Sequence, residues 1–224
     1  YGQPALAIPF SGLKVRCVVE PWINAPTGTL HIKARELQLN QPLQALPEDN
    51  FLRKAVELVL AELGTSQTPT CKLTIYSDIP ISAGLGASAA IAVATMRALS
   101  AFLGHPLEKE TLNRLALETE KLMHGNPSGI DNTVIVYEQP ILFRKGEPIE
   151  FVYPSKNLHF LIADSGIKKA TADTVAYLAQ QRERNPQLIE AALAEIGNIA
   201  LFGKKAFEQG DLSALGEAMN ANQA

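Results

Sequence analysis

The chain has 224 residues, 46% hydrophobic and 19% charged, enough apolar material for one large domain or two small ones. A net charge of -3 and a pI near 5.9 give no long-range attraction for nucleic acid or an acidic membrane surface. The longest apolar run, residues 88–103, is broken by Arg97 and is shorter than the roughly 20 residues that cross a bilayer, so no membrane partner is expected.

Taken from the start, residues 5–8, 15–19 and 30–34 read as strands separated by Pro and Gly clusters, an antiparallel opening. Residues 50–63 switch to a helical period, with Leu52, Ala55, Val56, Val59 and Leu63 on one face and Gly64 just past the end. A strand is expected at 72–76. A turn-forming stretch then leads into 87–103, a helix apolar on nearly every side and therefore buried. Leu112, Leu115, Ala116, Thr119, Leu122 and Met123 mark an amphipathic helix that stops at Gly125-Asn126-Pro127.

Residues 133–137 and 141–144 read as a hairpin around Gln139-Pro140. Residues 145–157 are polar with two prolines, a boundary that places one domain at 1–155 and a second at 156–224. Residues 159–164 read as a buried strand, followed by helices over 171–182, 186–209 and from 212 onward. Cys17 and Cys71 form no C-x-x-C pair and read as reduced, buried thiols of a cytoplasmic protein, and the first residues carry no export signal.

Two segments carry chemistry. Gly84-Leu85-Gly86-Ala87-Ser88 precedes the buried helix, and backbone amides at a helix start lack intrahelical partners, so a glycine turn there can cradle a phosphate. Ser88 offers a hydroxyl that either caps the helix or meets a phosphate-bound metal ion. An isolated turn of this kind more often only joins a strand to a core helix, and no Walker A Gly-Lys-Ser or Gly-Lys-Thr is present.

The second segment is the polar joint at 123–132, with Glu120 one helical turn before it and Asp131 within it. Glu120 falls at the edge of the inward stripe, while Asp131 is expected in an irregular stretch. Such a pair can divide phosphoryl transfer, one carboxylate holding Mg²⁺ and the other accepting the proton of an attacking hydroxyl. The plainer alternative makes Glu120 a solvated helix residue and Asp131 a turn former. No histidine pair has zinc spacing, and Trp22 and Lys168-Lys169 read as packing and solvated residues.

Pro80 and the run Gly84-Leu85-Gly86-Ala87-Ser88-Ala89-Ala90 resemble the phosphate motif of the GHMP kinases, the galactokinase, homoserine kinase, mevalonate kinase and phosphomevalonate kinase superfamily. The stretch from Glu120 through His124-Gly125-Asn126-Pro127-Ser128-Gly129 to Asp131 resembles the mevalonate kinase branch in particular. Tyr1 to Ala7, and Asp164-Ser165-Gly166 followed by Thr171, are similar to further stretches of that branch, in the same order along the chain.

The resemblance implies a two-domain α+β GHMP kinase fold, with a ribosomal-protein-S5-like mixed sheet and helices first and an α+β domain second. It implies ATP as cosubstrate, Mg²⁺ as the ion and mevalonate as the small alcohol phosphorylated, a step of isoprenoid biosynthesis. Ser82, Ala83, Gly84, Leu85, Gly86, Ala87 and Ser88 would wrap the ATP phosphates. Ser88 and Glu120 would hold Mg²⁺, Asp131 would be the catalytic base, and Ser128 and Thr171 would lie near the substrate. A homodimer is compatible with this reading.

The family also has a Pro-Gly-Lys strand and a Gly-Glu-His turn that would precede Tyr1, and a glycine-rich loop that would follow Ala224, so the chain reads as an internal stretch of such an enzyme. The competing readings are a GHMP kinase for a sugar, homoserine or phosphomevalonate, and a sensor that keeps the fold and binds ligand without turnover.

Overall fold

The computed structural model describes residues 2–81, 83–163, 166 and 171–223, with the side chains of His124 and residues 171–174 outside that description. Contacts group it into two compact units, Phe10–Tyr137 and, from the two flanks, Tyr1–Pro9 with Glu138–Ala224. The sequence reading instead places its boundary near 155; residues 138–155 join the second unit because their strands pair with the strand at the start of the chain.

In this unit of the flanks, β1 (Ala5–Ala7), β6 (Ile141–Phe143) and β7 (Glu150–Phe151) make an antiparallel sheet in the order β1-β6-β7. Helices α5 (Thr171–Arg184), α6 (Pro186–Gln209) and α7 (Leu212–Gln223) complete it. Pro186 opens α6 and Gly210, at φ +66°, closes it, the pattern expected of a helix with proline inside its start and glycine beyond its end. Gly197 lets α6 approach the first strand: a Cβ there would lie 2.6 Å from Gln3 Oε1. Val152, Ala206, Phe207 and Leu215 form its small core.

The expected strand at 159–164 is corrected over its described part. Residues 159–163 have no regular structure, Leu161 is 98% exposed, and no described strand pairs with them. An apolar run becomes a strand through its partners rather than its own propensity. Asp164 lies outside the described residues.

The other unit is built on β2 (Val15–Pro21), β3 (Leu30–Ala34), β4 (Leu39–Pro42) and β5 (Cys71–Ser77), ordered β2-β5-β3-β4. The antiparallel opening expected from sequence is therefore replaced by a mixed sheet: β1 belongs elsewhere, and β5 inserts between β2 and β3, parallel to β3. Parallel neighbours need a crossover, which α1 (Phe51–Glu62) supplies. Asn50 starts α1 by accepting from the amides of Leu52 (3.0 Å) and Arg53 (3.2 Å).

Strand alternation sends Leu30, Ile32, Cys71, Leu73 and Ile75 into the core against α1 and α2 (Ala87–Phe102). On the opposite face Lys72 lies over the Trp22 ring and Arg16 over Tyr76. Helix α3 (Lys109–His124) packs on α1 and α2, and α4 (Ile130–Tyr137) packs on α2 and α3.

Helix α4 corrects the expected strand at 133–137. Thr133-Val134-Ile135-Val136 is β-branched throughout and reads as a strand by composition. Here Thr133 Oγ1 donates to the carbonyl of Gly129 (2.6 Å), Arg97 Nη2 donates to the carbonyl of Val136 (2.7 Å), and Asn132, Thr133, Val134 and Val136 are buried. Packing and satisfied helix ends override local preference. No described helix is long and apolar enough to cross a membrane.

Both cysteines are free thiols. Burial pushes Cys17 up to about 12 and Cys71 up to about 11. Well below pH 9 the thiols are neutral in folded and unfolded chains alike and their contribution to stability is complete; as the pH rises through 9 the unfolded chain ionises first, and the contribution is lost by about 11 for Cys71 and about 12 for Cys17. Thiol reagents at pH 8 are thus expected to leave the native protein unlabelled and to modify both residues on denaturation, counted by mass spectrometry. Stoichiometric labelling of the native protein would contradict this.

Candidate functional site

The turn before α2 has Gly84 at φ +73° and Gly86 at φ +67°, conformations that favour glycine. Gly86 is the N-cap of α2 and its carbonyl receives the first intrahelical bond, from the Ala90 amide at 3.0 Å. The amides of Ala87, Ser88 and Ala89 precede that bond and face the helix start, where a macrodipole favours an anion. Ala83 and Leu85 are half-buried and Gly84 is exposed; Ser82 lies outside the described residues.

Of the two uses sequence allows Ser88, capping is not seen. No side chain caps α2; the Ser88 hydroxyl donates to Glu120 Oε1 at 3.0 Å. Glu120 is only 4% exposed, so it is not a solvated helix residue. Helix α3 thus brings a buried carboxylate to the start of α2 from a residue 32 positions away.

Asp131 is not in an irregular stretch: it stands in the first turn of α4, exposed, where a negative side chain suits the helix dipole. It is close to the glycine turn, since a Cβ on Gly86 would lie 3.8 Å from both Cβ and Cγ of Asp131 and 3.4 Å from Ile135 Cδ1. A side chain at position 86 would therefore meet a disfavoured φ, with its Cβ in ordinary van der Waals contact with Asp131 and Ile135. Ser128 is exposed and its hydroxyl accepts from the Ile130 amide (3.3 Å), a local turn bond. Thr171 opens α5 in the other unit, and its side chain lies outside the described residues, as does that of His124.

A hydroxyl and a buried carboxylate are hard oxygen donors of the kind Mg²⁺ takes, and two protein ligands leave positions for phosphate oxygens and water. Among the described residues no group of three His, Cys, Asp or Glu could hold a metal by itself. This donor pair fits a hard divalent cation whose remaining ligands come from outside it.

Sequence reasoning passed over three polar residues beside Asp131: Asn113 of α3, and Asn132 and Thr133 of α4. Their hydrogen bonds join α3 to the first turn of α4. One signal was available: Asn113 precedes Glu120 by seven residues, about two helical turns, and so shares its face.

A profile of the GHMP kinases N terminal domain matches residues 50–139. The mevalonate kinase of Pyrococcus horikoshii is 32% identical over 244 aligned residues, which cover 99% of this chain and 70% of the relative. Among solved structures, that of L. major mevalonate kinase in complex with R-mevalonate matches with a TM-score of 0.73 at 27% identity, covering 99% of this chain and 68% of the other. A Streptococcus pneumoniae phosphomevalonate kinase in complex with phosphomevalonate and AMPPNP matches with a TM-score of 0.71 at 16% identity, over 98% of this chain and 71% of the other, a likeness of fold alone. The α+β architecture is that of these kinases.

Proposed function

The chain belongs to the GHMP kinases, a family of small-molecule kinases, and from that premise we propose that it transfers the γ-phosphoryl group of ATP to the hydroxyl of mevalonate. The observation that carries the reading is one juxtaposition. A glycine turn opening α2, a Ser88–Glu120 pair at its first turn and Asp131 beside Gly86 meet within the single unit 10–137. Mevalonate is favoured over other alcohols by the 32% identity to the P. horikoshii mevalonate kinase along 99% of the chain.

The chemistry asks the protein mainly to align two reactants and to stabilise charge on the phosphate oxygens. In this reading the main-chain amides from Gly84 to Ser88 bind the phosphates, at a helix start whose dipole favours them. Ser88 and Glu120 would hold Mg²⁺, which when bound would supply charge neutralisation for the phosphoryl oxygens. Asp131 receives the proton of the acceptor hydroxyl as the new O–P bond forms and the bond from the γ-phosphorus to its bridging oxygen breaks, leaving ADP. Ser128 and Thr171 are proposed as substrate residues, and residues 1–155 are proposed as the ATP-binding domain, with 156–224 the start of a second domain.

The test is acceptor-dependent ADP release over a panel of mevalonate, phosphomevalonate, homoserine and a hexose. Mevalonate is expected to give the highest kcat/KM. A higher value for another acceptor would replace mevalonate, and nucleotide binding without turnover on any would support a ligand sensor.

A further inference from the structure

Asp131 stands on a helix of only eight residues, a length that does not hold its shape alone in water. Its carboxylate is therefore only as well placed as α4 is. At the N-terminal end of α4, the tie is a run of hydrogen bonds to one residue of α3. Asn132, 2% exposed, donates from Nδ2 to Asn113 Oδ1 and to the carbonyl of Asn113 at 3.3 Å. Asn113 donates from its own Nδ2 to Thr133 Oγ1 at 3.3 Å, and that hydroxyl donates to the carbonyl of Gly129 at 2.6 Å.

These bonds link Asn132, Asn113, Thr133 and Gly129, with Thr133 Oγ1 also 3.3 Å from Asn113 Oδ1, and close the turn 129–133 with Asp131 in its middle. Buried amides and hydroxyls are costly to leave unpaired, so this run tolerates few alternative arrangements of the turn. It also leaves one debt: among the described residues Asn132 Oδ1 is buried without a hydrogen-bond partner, a cost that native interiors seldom carry without return. Because Asn113 lies on the same face of α3 as Glu120, a single helix face carries one carboxylate of the site and the anchor of the other.

We propose that Asn113, acting through Asn132 and Thr133, is a positioning residue for Asp131, setting the direction of its carboxylate against the glycine turn and its separation from Glu120. This rests on the reading of Asp131 as proton acceptor.

The experiment measures kcat, KM and nucleotide affinity for Asn113→Ala, Thr133→Val and Thr133→Ser, each checked for cooperative thermal unfolding, with the acceptor that supports turnover. Asn113→Ala and Thr133→Val are expected to lose on the order of 10² in kcat, the scale of a misplaced reacting group, while Thr133→Ser keeps most of it. KM for ATP and nucleotide affinity stay within about twofold, since the phosphate cradle is untouched. In an Asp131→Ala background, Asn113→Ala adds no further loss, because nothing remains to be positioned.

An equal further loss in that background, a raised KM with kcat unchanged, or a folded Asn113→Ala with normal kcat overturns the proposal and leaves the base assignment standing. Normal turnover by Asp131→Ala overturns the base assignment itself, and this proposal with it. Should Asn113→Ala fail to unfold cooperatively, the two Thr133 variants decide: equal activity in Val and Ser overturns the proposal, and loss in Val alone supports it.

Discussion

Asp131→Ala is expected to lower kcat by about 10³-fold, within the range that loss of a positioned general base costs, while nucleotide affinity is nearly unchanged. In barrier terms that is roughly 4 kcal/mol. The two effects separate because the phosphate cradle and Asp131 come from different elements, the start of α2 and the first turn of α4. Asp131→Asn sharpens the test, since it keeps the shape beside Gly86 but cannot take a proton. If Asn retains a tenth or more of the activity, orientation of the hydroxyl rather than proton acceptance is the larger contribution. Either change also removes a negative charge from the first turn of α4, costing about 0.3–1 kcal/mol of stability. Equilibrium nucleotide binding and single-turnover kinetics check the prediction, and near-normal turnover in Asp131→Ala would sink the base assignment.

Elements with strong periodicity and clear ends are legible in the sequence itself. Helix α6 spans the residues between Pro186 and Gly210, and α2 follows directly on the glycine turn, because proline, glycine and unbroken apolar runs act within a few residues of themselves. Sheet order was not legible, since the insertion of β5 between β2 and β3 depends on a crossover rather than on any strand's own sequence. Helix α4 was misread for a related reason: its β-branched run is held helical by Arg97 from one neighbour and by Asn113 from another. Within the site, residue types that suit phosphate and metal were visible at Gly84, Ser88, Glu120 and Asp131. That Ser88 meets Glu120, and that Asp131 sits against Gly86, are tertiary facts with no local signature. Asn113 was missed because a half-buried asparagine in mid-helix looks like a surface residue until its partners are known.

The Ser88–Glu120 pair supports the second large effect. Glu120→Gln keeps side-chain length and can still meet the Ser88 hydroxyl, but it cannot supply the negative charge proposed to hold Mg²⁺. A low-dielectric setting makes such a charge worth more to a cation than an exposed carboxylate would be, so its loss is costly. Turnover at limiting Mg²⁺ is expected to fall on the order of 10²–10³-fold, with the half-saturating Mg²⁺ concentration raised about tenfold or more. Ser88→Ala should move both quantities the same way by less, because a neutral hydroxyl contributes less than a carboxylate to a hard cation. Excess Mg²⁺ should recover part of the Glu120→Gln loss but none of the Asp131→Ala loss, since only the first change acts through the metal. Equal recovery of both variants, or a magnesium titration of Glu120→Gln that matches the parent protein, would remove Glu120 from the metal site and leave its contact with Ser88 as packing between α2 and α3.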